Sequence, residues 1–210
     1  MGGLKHGAEF EEQQLDMIAN SLQQHGYVVL TDVVSDTLLQ SLHLRVQNLA
    51  PKDWKSAGIG REQGHHINSQ VRSDHIHWIT PDDPVEKNLL AWMEALRSGL
   101  NRRLFMGLFE FEAHFSRYPE GAFYQKHLDA LSGRSNRILS AVLYLNRDWQ
   151  KEDAGELLLY PEEGGRPIST ILPKLGTFVL FLSEQFPHEV KKAHRERISI
   201  AGWFRGAESC

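Results

Sequence analysis

Three side chains in this sequence could hold a metal ion together: His127, Asp129 and His188. Side chains alternate between the two faces of a β-strand, so a His-x-Asp pair on one strand would point both groups in the same direction. The distant His188 could return beside that pair in a β-sandwich. Two neutral imidazoles and one carboxylate on one side of a metal form the ligand set of non-haem Fe(II) oxygenases. The spacing therefore predicts an oxygen-activating iron site.

Arg197 adds a second chemical group, nine residues after His188. A 2-oxo acid that chelates iron through its carboxylate and keto oxygen needs a cation for its far carboxylate, and arginine supplies bidentate, charge-assisted hydrogen bonds. Residues 191–195 have the composition of a hairpin turn, which would return Arg197 antiparallel beside His188. A residue shorter than aspartate at position 129 would open a further coordination position for halogenation. Asp129 therefore favours hydroxylation.

The elements that must position these groups divide the chain into two parts. Apolar periodicity and capping residues predict helices over Phe10–His25, from Ser35 to Pro51, and from Asp83-Pro84 to about Met106. From Phe111 onward, short strand-like runs alternate with Gly, Pro, Asp and Asn. These runs are 137–145, 156–160, 168–172, 177–182, 188–192 and 197–205.

The fold class is therefore α+β, mainly β: a double-stranded β-helix (jelly roll) core with packed N-terminal helices. We expect residues 1–210 to form a single dioxygenase domain. Residues 1–110 would supply helical support and 111–205 the β-core. The polar, glycine-containing stretch near 57–74 predicts either a plain surface loop or a mobile lid that closes on substrate.

Composition narrows the function classes. The chain has 210 residues, 41% of them hydrophobic, and a formal charge of −4 with dispersed Lys and Arg, which argues against nucleic-acid binding. No window approaches the roughly 18 apolar residues of a membrane span, and no secretory core is evident. The single cysteine, Cys210, excludes an internal disulfide. We expect a monomeric, cytoplasmic protein with no membrane partner.

Longer motifs connect these residues to a known family. The most specific is Tyr144-Leu145-Asn146-Arg147-Asp148-Trp149, which follows a Tyr-Leu-Asn-Lys-Asp-Trp pattern. Others are Tyr118-Pro119, Gly155-Glu156-Leu157, Phe186-Pro187-His188-Glu189-Val190, and Val71 to Trp78. From about Val71 to Phe204 the chain resembles 2-oxoglutarate-dependent prolyl hydroxylases of the hypoxia-inducible-factor type, and closely their bacterial counterparts.

The resemblance implies a set of roles for individual residues. His127, Asp129 and His188 would ligate Fe(II). Arg197 would bind the distal carboxylate of 2-oxoglutarate, with the Tyr144 hydroxyl as a second donor and Tyr118 close to the iron. O2 would be the other cosubstrate, and ascorbate is a candidate cofactor.

On the substrate side, the resemblance implies that Trp203, Tyr124 and Arg137 border the target prolyl. Asp74 or Arg72 would help order the lid, through a pair with Arg137. The implied reaction is prolyl 4-hydroxylation in an exposed loop of a protein, with succinate and CO2 released. For the bacterial relatives, the implied substrate is translation elongation factor Tu. The family resemblance also implies a role in oxygen sensing.

The sequence also departs from the family pattern and leaves alternatives open. The segment Tyr118-Pro119-Glu120-Gly121 lies one residue closer to His127 than in the animal enzymes. Nucleic-acid demethylases carry a second arginine six residues after the cosubstrate arginine, where this chain has Trp203. A hydroxylase of free amino acids or of another residue type, and a non-catalytic metal-binding sensor, remain alternatives.

Overall fold

The computed structural model describes residues 10–58, 71–130 and 135–207, and this part contains three α-helices. They are α1 (Glu12–His25), α2 (Asp36–Gln47) and α3 (Pro84–Leu104). The predicted capping residues begin two of them. Ser35 accepts a hydrogen bond from the Leu38 amide at 3.3 Å, and Asp83 accepts from the amides of Val85 and Glu86. The three helix predictions are confirmed to within a few residues at each end.

Eleven strands lie in the described ranges, and most of them fall where short alternating runs predict them. They are β1 (Tyr27–Leu30), β2 (Lys55–Ser56), β3 (His75–Trp78), β4 (Leu108–Tyr118), β5 (Tyr124–His127), β6 (Arg137–Tyr144), β7 (Leu157–Leu159), β8 (Ser169–Ile171), β9 (Phe178–Leu182), β10 (His188–Val190) and β11 (Arg197–Gly206). The short strands β2 and β3 were not predicted. They pair with each other, and β3 joins the edge of β4.

The strands form two antiparallel sheets. The major sheet has seven strands in the order β1-β9-β6-β11-β4-β3-β2, and the minor sheet has four in the order β5-β10-β7-β8. Two antiparallel sheets of this kind, with chain segments that cross between them, make a jelly roll. The predicted fold class is confirmed.

Two separate clusters of buried side chains hold the layers together. One lies between the helices and the outer face of the major sheet, and it includes Ile18, Leu42, Leu96 and Phe115. The other lies between the two sheets and includes Tyr118, Tyr144, Leu159, Phe181 and Val190. The second cluster contains the tyrosines that sequence reasoning assigns to a cosubstrate site.

Helices α1 and α3 approach each other closely at Gly99. A methyl group added there would lie 2.6 Å from a Leu15 methyl carbon, closer than carbon atoms can pack. The buried Leu15 side chain therefore occupies the space that a larger residue at position 99 would need. No helix among the described residues combines the length and apolar character that crossing a membrane requires.

Candidate active site

The three candidate metal ligands meet at the edge of the minor sheet. His127 ends β5, His188 begins β10, and the two are direct cross-strand partners. Asp129 follows two residues after His127. Its carboxylate oxygens lie 3.6 Å from Nε2 of His127 and 3.7 Å from Nε2 of His188. One ligand atom from each residue fits within 4.8 Å of the other two, a spacing that suits a single ion.

The expectation that His127 and Asp129 share one strand is wrong. Strand β5 ends at His127, and Asp129 lies in the bend beyond it. The pairing of β5 with β10 brings the two imidazoles together, and the bend turns the carboxylate back toward them. The alternation of a single strand is therefore not what assembles the group.

Both imidazoles are fixed in the same orientation by backbone carbonyls. Nδ1 of His127 lies 2.8 Å from the carbonyl oxygen of Gln125, and Nδ1 of His188 lies 3.0 Å from that of Phe186. A carbonyl oxygen only accepts hydrogen bonds, so each Nδ1 carries the proton and each Nε2 presents a lone pair to the site. Burial, with His127 acting in the same direction, lowers the pKa of His188 to about 4. His188 is therefore neutral at pH 7, as a metal ligand must be.

The Asp129 carboxylate stays ionised although it is enclosed by protein. Burial alone would raise its pKa, but the neighbouring His188 and His127 and a hydrogen bond from Ser140 bring it below its ordinary value. Oγ of Ser140 donates to Oδ2 of Asp129 at 2.7 Å and also contacts Oγ of Ser183 at 2.9 Å. Because Ser140 belongs to β6, this bond ties the triad to the major sheet.

Two neutral nitrogen donors and one anionic oxygen on one side of a site fit Fe(II). Carboxylate and imidazole ligands suit this ion, and the absence of a cysteine from the group disfavours softer metals. His127, Asp129 and His188 are therefore the residues of this chain that would hold an iron ion.

Arg197, at the start of β11, is a deeply buried charged group. Its side chain is only 1% exposed, and its Nε donates to the carbonyl oxygen of Gly155 at 2.9 Å. Its guanidinium carbon lies 5.0 Å from the ring centres of both Tyr118 and Tyr144. Within the described ranges no carboxylate forms an ion pair with it. Because an uncompensated buried charge is strongly unfavourable, this arrangement indicates a site for an anion.

The prediction that a hairpin turn returns Arg197 antiparallel beside His188 is wrong. Arg197 is the cross-strand partner of Tyr118 in the major sheet, whereas His188 belongs to the minor sheet. Residues 191–196 cross from one sheet to the other and do not form a hairpin. A turn of this length serves either connection, so spacing alone could not separate them.

Tyr144 provides an unused donor next to Arg197. Its hydroxyl is buried and has no hydrogen-bond partner of normal geometry among the described residues. Burial raises the pKa of Tyr144, and the charge of Arg197 offsets only part of that effect. Burial likewise raises the pKa of Tyr118. Both phenols are therefore neutral at pH 7, and the Tyr144 hydroxyl can donate to a carboxylate placed beside Arg197.

Aromatic residues predicted to border a substrate lie around the triad. The Tyr124 ring stacks on the His127 imidazole with a centroid separation of 3.5 Å. The guanidinium carbon of Arg137 lies 3.4 Å from the centre of the Trp203 ring. Nε1 of Trp203 is buried without a hydrogen-bond partner in the part of the chain that is described. The substrate-binding roles of these residues remain predictions.

The expected ion pair between Asp74 and Arg137 is replaced by two other pairs. Arg72 binds both carboxylate oxygens of Asp74 at 2.7 Å, and its guanidinium lies 4.4 Å from the Tyr124 ring centre. Arg137 pairs with Glu112 at 3.2 Å. Because Arg72 lies only two residues before Asp74, its guanidinium can pair with both oxygens of the Asp74 carboxylate. The predicted lid near 57–74 falls largely on residues 59–70, which lie outside the described ranges.

Sequence reasoning did not find Ser140 and His114, which the structure places in or beside this site. Ser140 shares one face of β6 with Tyr144, since the two are four residues apart in a strand. That alternation was the available signal once Tyr144 had been singled out. His114 carries the same signal, because it lies four residues before Tyr118 and shares one face of β4 with it.

The fold and the site together define a class of protein. An antiparallel jelly roll that offers two imidazoles, one carboxylate and a buried arginine is suited to bind a metal ion and an acidic cosubstrate. Comparison with known proteins then identifies the family within this class.

Residues 113–205 match the model of the 2OG-Fe(II) oxygenase superfamily. The crystal structure of a prolyl-4-hydroxylase from Pseudomonas putida is 36% identical, with a TM-score of 0.83 over 92% of this chain and 100% of that one. A Trichoplax adhaerens prolyl hydroxylase, solved with a peptide of hypoxia-inducible factor, is 27% identical with a TM-score of 0.81 over 92% of this chain and 90% of that one.

Among curated proteins, human Egl nine homolog 1 is 27% identical over 203 residues, which are 92% of this chain and 47% of that protein. The chain thus spans about half the length of the curated relatives it matches first. The chain belongs to the prolyl hydroxylase family of the 2OG-Fe(II) oxygenase superfamily. The cofactor and cosubstrates of that superfamily are Fe(II), 2-oxoglutarate and O2.

Proposed function

We propose that this protein is an Fe(II)- and 2-oxoglutarate-dependent prolyl 4-hydroxylase that acts on a prolyl residue in a protein. The observation that carries the proposal is Arg197, a fully buried cation with no carboxylate partner among the described residues. It lies against Tyr118 and Tyr144, on the face of the major sheet that packs on the sheet carrying His127 and His188. A dicarboxylate that chelates the metal at one end would supply the missing anion at the other. The similarity to prolyl hydroxylases supports the choice of substrate residue.

The chain's own groups have distinct tasks in this reaction. His127, Asp129 and His188 would hold the iron, which would activate O2 so that one oxygen atom enters succinate as 2-oxoglutarate loses CO2 and the other enters the hydroxylated C–H bond. Ser140 keeps the Asp129 carboxylate oriented through its 2.7 Å hydrogen bond. The Nδ1 bonds to backbone carbonyls hold each imidazole with Nε2 toward the site.

Arg197 and Tyr144 would bind the distal carboxylate of 2-oxoglutarate. Arg197 offers a fixed fork of donors because its Nε is already held by the Gly155 carbonyl. The neutral Tyr144 hydroxyl adds a second donor from β6. Gly155 lies at φ +73°, and a methyl group there would come within 2.7 Å of the Ala193 side chain. The backbone that orients Arg197 therefore requires glycine at this position.

The protein substrate would approach from the side of Tyr124, Arg137 and Trp203. The Trichoplax relative was solved with a peptide of hypoxia-inducible factor, which supports binding of a peptide segment by this protein. We propose translation elongation factor Tu, in the cytoplasm, as the protein that carries the target prolyl. The exposed prolyl loop that such a substrate needs would leave the ring C4 within reach of the metal.

Turnover with defined substrates tests this function. The protein is incubated with Fe(II), 2-oxoglutarate, ascorbate and O2, together with intact elongation factor Tu, prolyl peptides or free proline. The expected result is the mass gain of one oxygen atom on a prolyl residue of elongation factor Tu, located by fragmentation. Asp129→Ala serves as the inactive control because it removes both a ligand and the balancing charge.

The outcomes separate the parts of the proposal. Formation of succinate with no prolyl product on any target would overturn prolyl hydroxylation and leave a 2-oxoglutarate oxygenase of another specificity. A product on free proline alone would favour a hydroxylase of free amino acids. No succinate from wild-type protein, with iron bound, would favour a non-catalytic sensor.

A further inference from the structure

Three rings form a continuous row on the inner face of the major sheet: Trp78, His114 and Trp203. The Trp78 and His114 centroids are 5.1 Å apart, and those of His114 and Trp203 are 5.5 Å apart, both in edge-on geometry. Trp78 and His114 are cross-strand partners, so they share a face. His114 pairs with Ala201, which shares its face of β11 with Arg197. The row therefore lies on the face that carries the proposed active site.

The middle of the row is a buried, neutral ring. His114 is only 3% exposed, and its Nδ1 lies 3.0 Å from the Ser116 hydroxyl. Burial, with the charge of Arg72 acting in the same direction, lowers the pKa of His114 to about 4. At pH 7 the three rings are therefore all uncharged, with His114 in contact with the ring on either side and the Arg137 guanidinium over Trp203.

The two ends of the row are unusual for opposite reasons. Nε1 of Trp203 is a buried donor without a partner among the described residues, which is unfavourable unless an acceptor arrives. Trp78 is 44% exposed although it is large and apolar and is held in place by His114. Core packing explains neither feature. A ligand that brings a carbonyl to one end and an apolar side chain to the other accounts for both.

A prolyl segment has this chemistry. Proline lacks an N–H and favours the extended polyproline II conformation, whose backbone carbonyls are not bonded within the segment. Aromatic-lined grooves are a general means of binding such segments. The two centroid distances place the Trp78 ring no more than about 11 Å from the Trp203 ring. At roughly 3.1 Å per residue, that distance corresponds to about three residues of a polyproline II segment.

We propose that Trp78 is a specificity-determining residue, which packs against a substrate side chain about three residues from the target proline. The substrate lies along the row in polyproline II conformation, and the Trp203 N–H donates to a backbone carbonyl beside the proline. This inference rests on the proposed prolyl hydroxylation and adds to it a sequence preference outside the prolyl site.

The test uses nonapeptides with a central proline, lysine at both ends and alanine elsewhere, in which one leucine is moved through the flanking positions. Hydroxylation is measured at saturating Fe(II) and 2-oxoglutarate, and KM and kcat are obtained separately. For the wild-type protein we expect KM to fall about tenfold when leucine stands near the third position on one side of proline. Trp78→Ala should abolish this preference, and the change should appear in KM.

Two further variants distinguish this role from a general structural one. Trp203→Phe keeps the ring and removes the N–H, so KM should rise about tenfold for every peptide while the leucine preference remains. Phe109→Ala removes another exposed aromatic, 66% accessible on β4, and should leave KM and the preference as in the wild type. Thermal unfolding of Trp78→Ala at the wild-type midpoint would show that the fold is intact.

The result that overturns the inference is wild-type hydroxylation of these peptides with a KM that ignores the leucine position. A leucine preference that survives in Trp78→Ala would overturn it equally. If the wild-type protein hydroxylates neither these peptides nor any prolyl protein, the proposed function itself fails, and that outcome is visible before any variant is compared.

Discussion

At the scale of single residues, the chemistry depends on a few buried donors whose hydrogen bonds are only partly satisfied by the described residues. Arg197 is buried and bonded to one carbonyl, and among the described residues neither the Tyr144 hydroxyl nor the Trp203 N–H has a hydrogen-bond partner. Each is a donor, and each faces the same side of the major sheet. An acidic cosubstrate and a peptide backbone would supply the hydrogen-bond acceptors that these three donors lack.

Removal of the Arg197 charge should weaken 2-oxoglutarate binding more than it impairs chemistry. We expect Arg197→Ala to lose roughly 1.5–3 kcal/mol of binding free energy, the value of a hydrogen bond to a charged group. Arg197→Lys should recover only part of it, since an ammonium keeps the charge but not the planar fork. The 2-oxoglutarate dependence of succinate formation measures both. Wild-type affinity in Arg197→Ala would show that another cation binds the cosubstrate.

The sequence was sufficient to single out most of these residues and insufficient to place them. His127, Asp129, His188 and Arg197 are residue types whose spacing points to one chemistry. The structure brings the first three together and places Arg197 against Tyr144. Ser140 could not be selected in the same way, because a serine in a strand is common. Strand alternation places Ser140 on the face of Tyr144, but it does not encode the 2.7 Å contact with Asp129, eleven positions away.

At the scale of elements, the helices support the major sheet through close packing at defined points. Gly99 in α3 is the clearest of these points, because the Leu15 side chain of α1 occupies the space beside it. Helix propensity alone would favour alanine at position 99 by about 1 kcal/mol. The packing opposes this preference, since overpacking a core costs about 1–3 kcal/mol.

Gly99→Ala should therefore lower the free energy of unfolding, by up to about 2 kcal/mol after the gain in helix propensity is included. The double variant Gly99→Ala with Leu15→Ala should be less destabilised than the sum of the two single variants, because each change relieves the other. Urea unfolding of the four proteins measures this coupling. Additive effects would mean that the two side chains do not compete for the same space.

Predictions for elements were best where local chemistry decides the structure. Ser35, Asp83 and Gly26 mark helix ends through their own hydrogen bonds or backbone angle, and the helices begin or end there. Connections were less predictable. The segment between His188 and Arg197 has the length of a hairpin turn, but it crosses from the minor to the major sheet. Strand β3 forms where the edge of β4 offers it a pairing partner, which the local sequence does not reveal.

At the scale of the whole molecule, buried histidines make stability depend on pH. His114 has a folded-state pKa of about 4, below the ordinary value of about 6.5 that an unfolded chain shows. As the pH falls through 6.5 the unfolded state takes up a proton that the folded state does not, so stability is lost between about pH 6.5 and 4. Above pH 7 both states are neutral and the residue contributes no pH dependence.

For the metal-free protein we expect His114 to account for about 2 kcal/mol of stability lost between pH 7 and pH 5. His114→Gln cannot be protonated, so the loss over this range should shrink by about that amount. Urea unfolding at both pH values, with a chelator present, measures the difference. An identical loss in the variant and the wild type would show that His114 is protonated as easily in the folded state as in the unfolded one.

The hydrogen bond from Ser140 to Asp129 has a consequence for the life of the protein in a cell. It is a polar link between the major sheet and the residues that follow β5, whereas the minor sheet has only strands of three or four residues. An iron ion held by His127, Asp129 and His188 would strengthen the connection between the minor sheet and the rest of the molecule. Chains made during iron starvation would then open at this sheet first and be degraded sooner. Iron supply would thus set how much of the protein accumulates, in addition to how much of it is active.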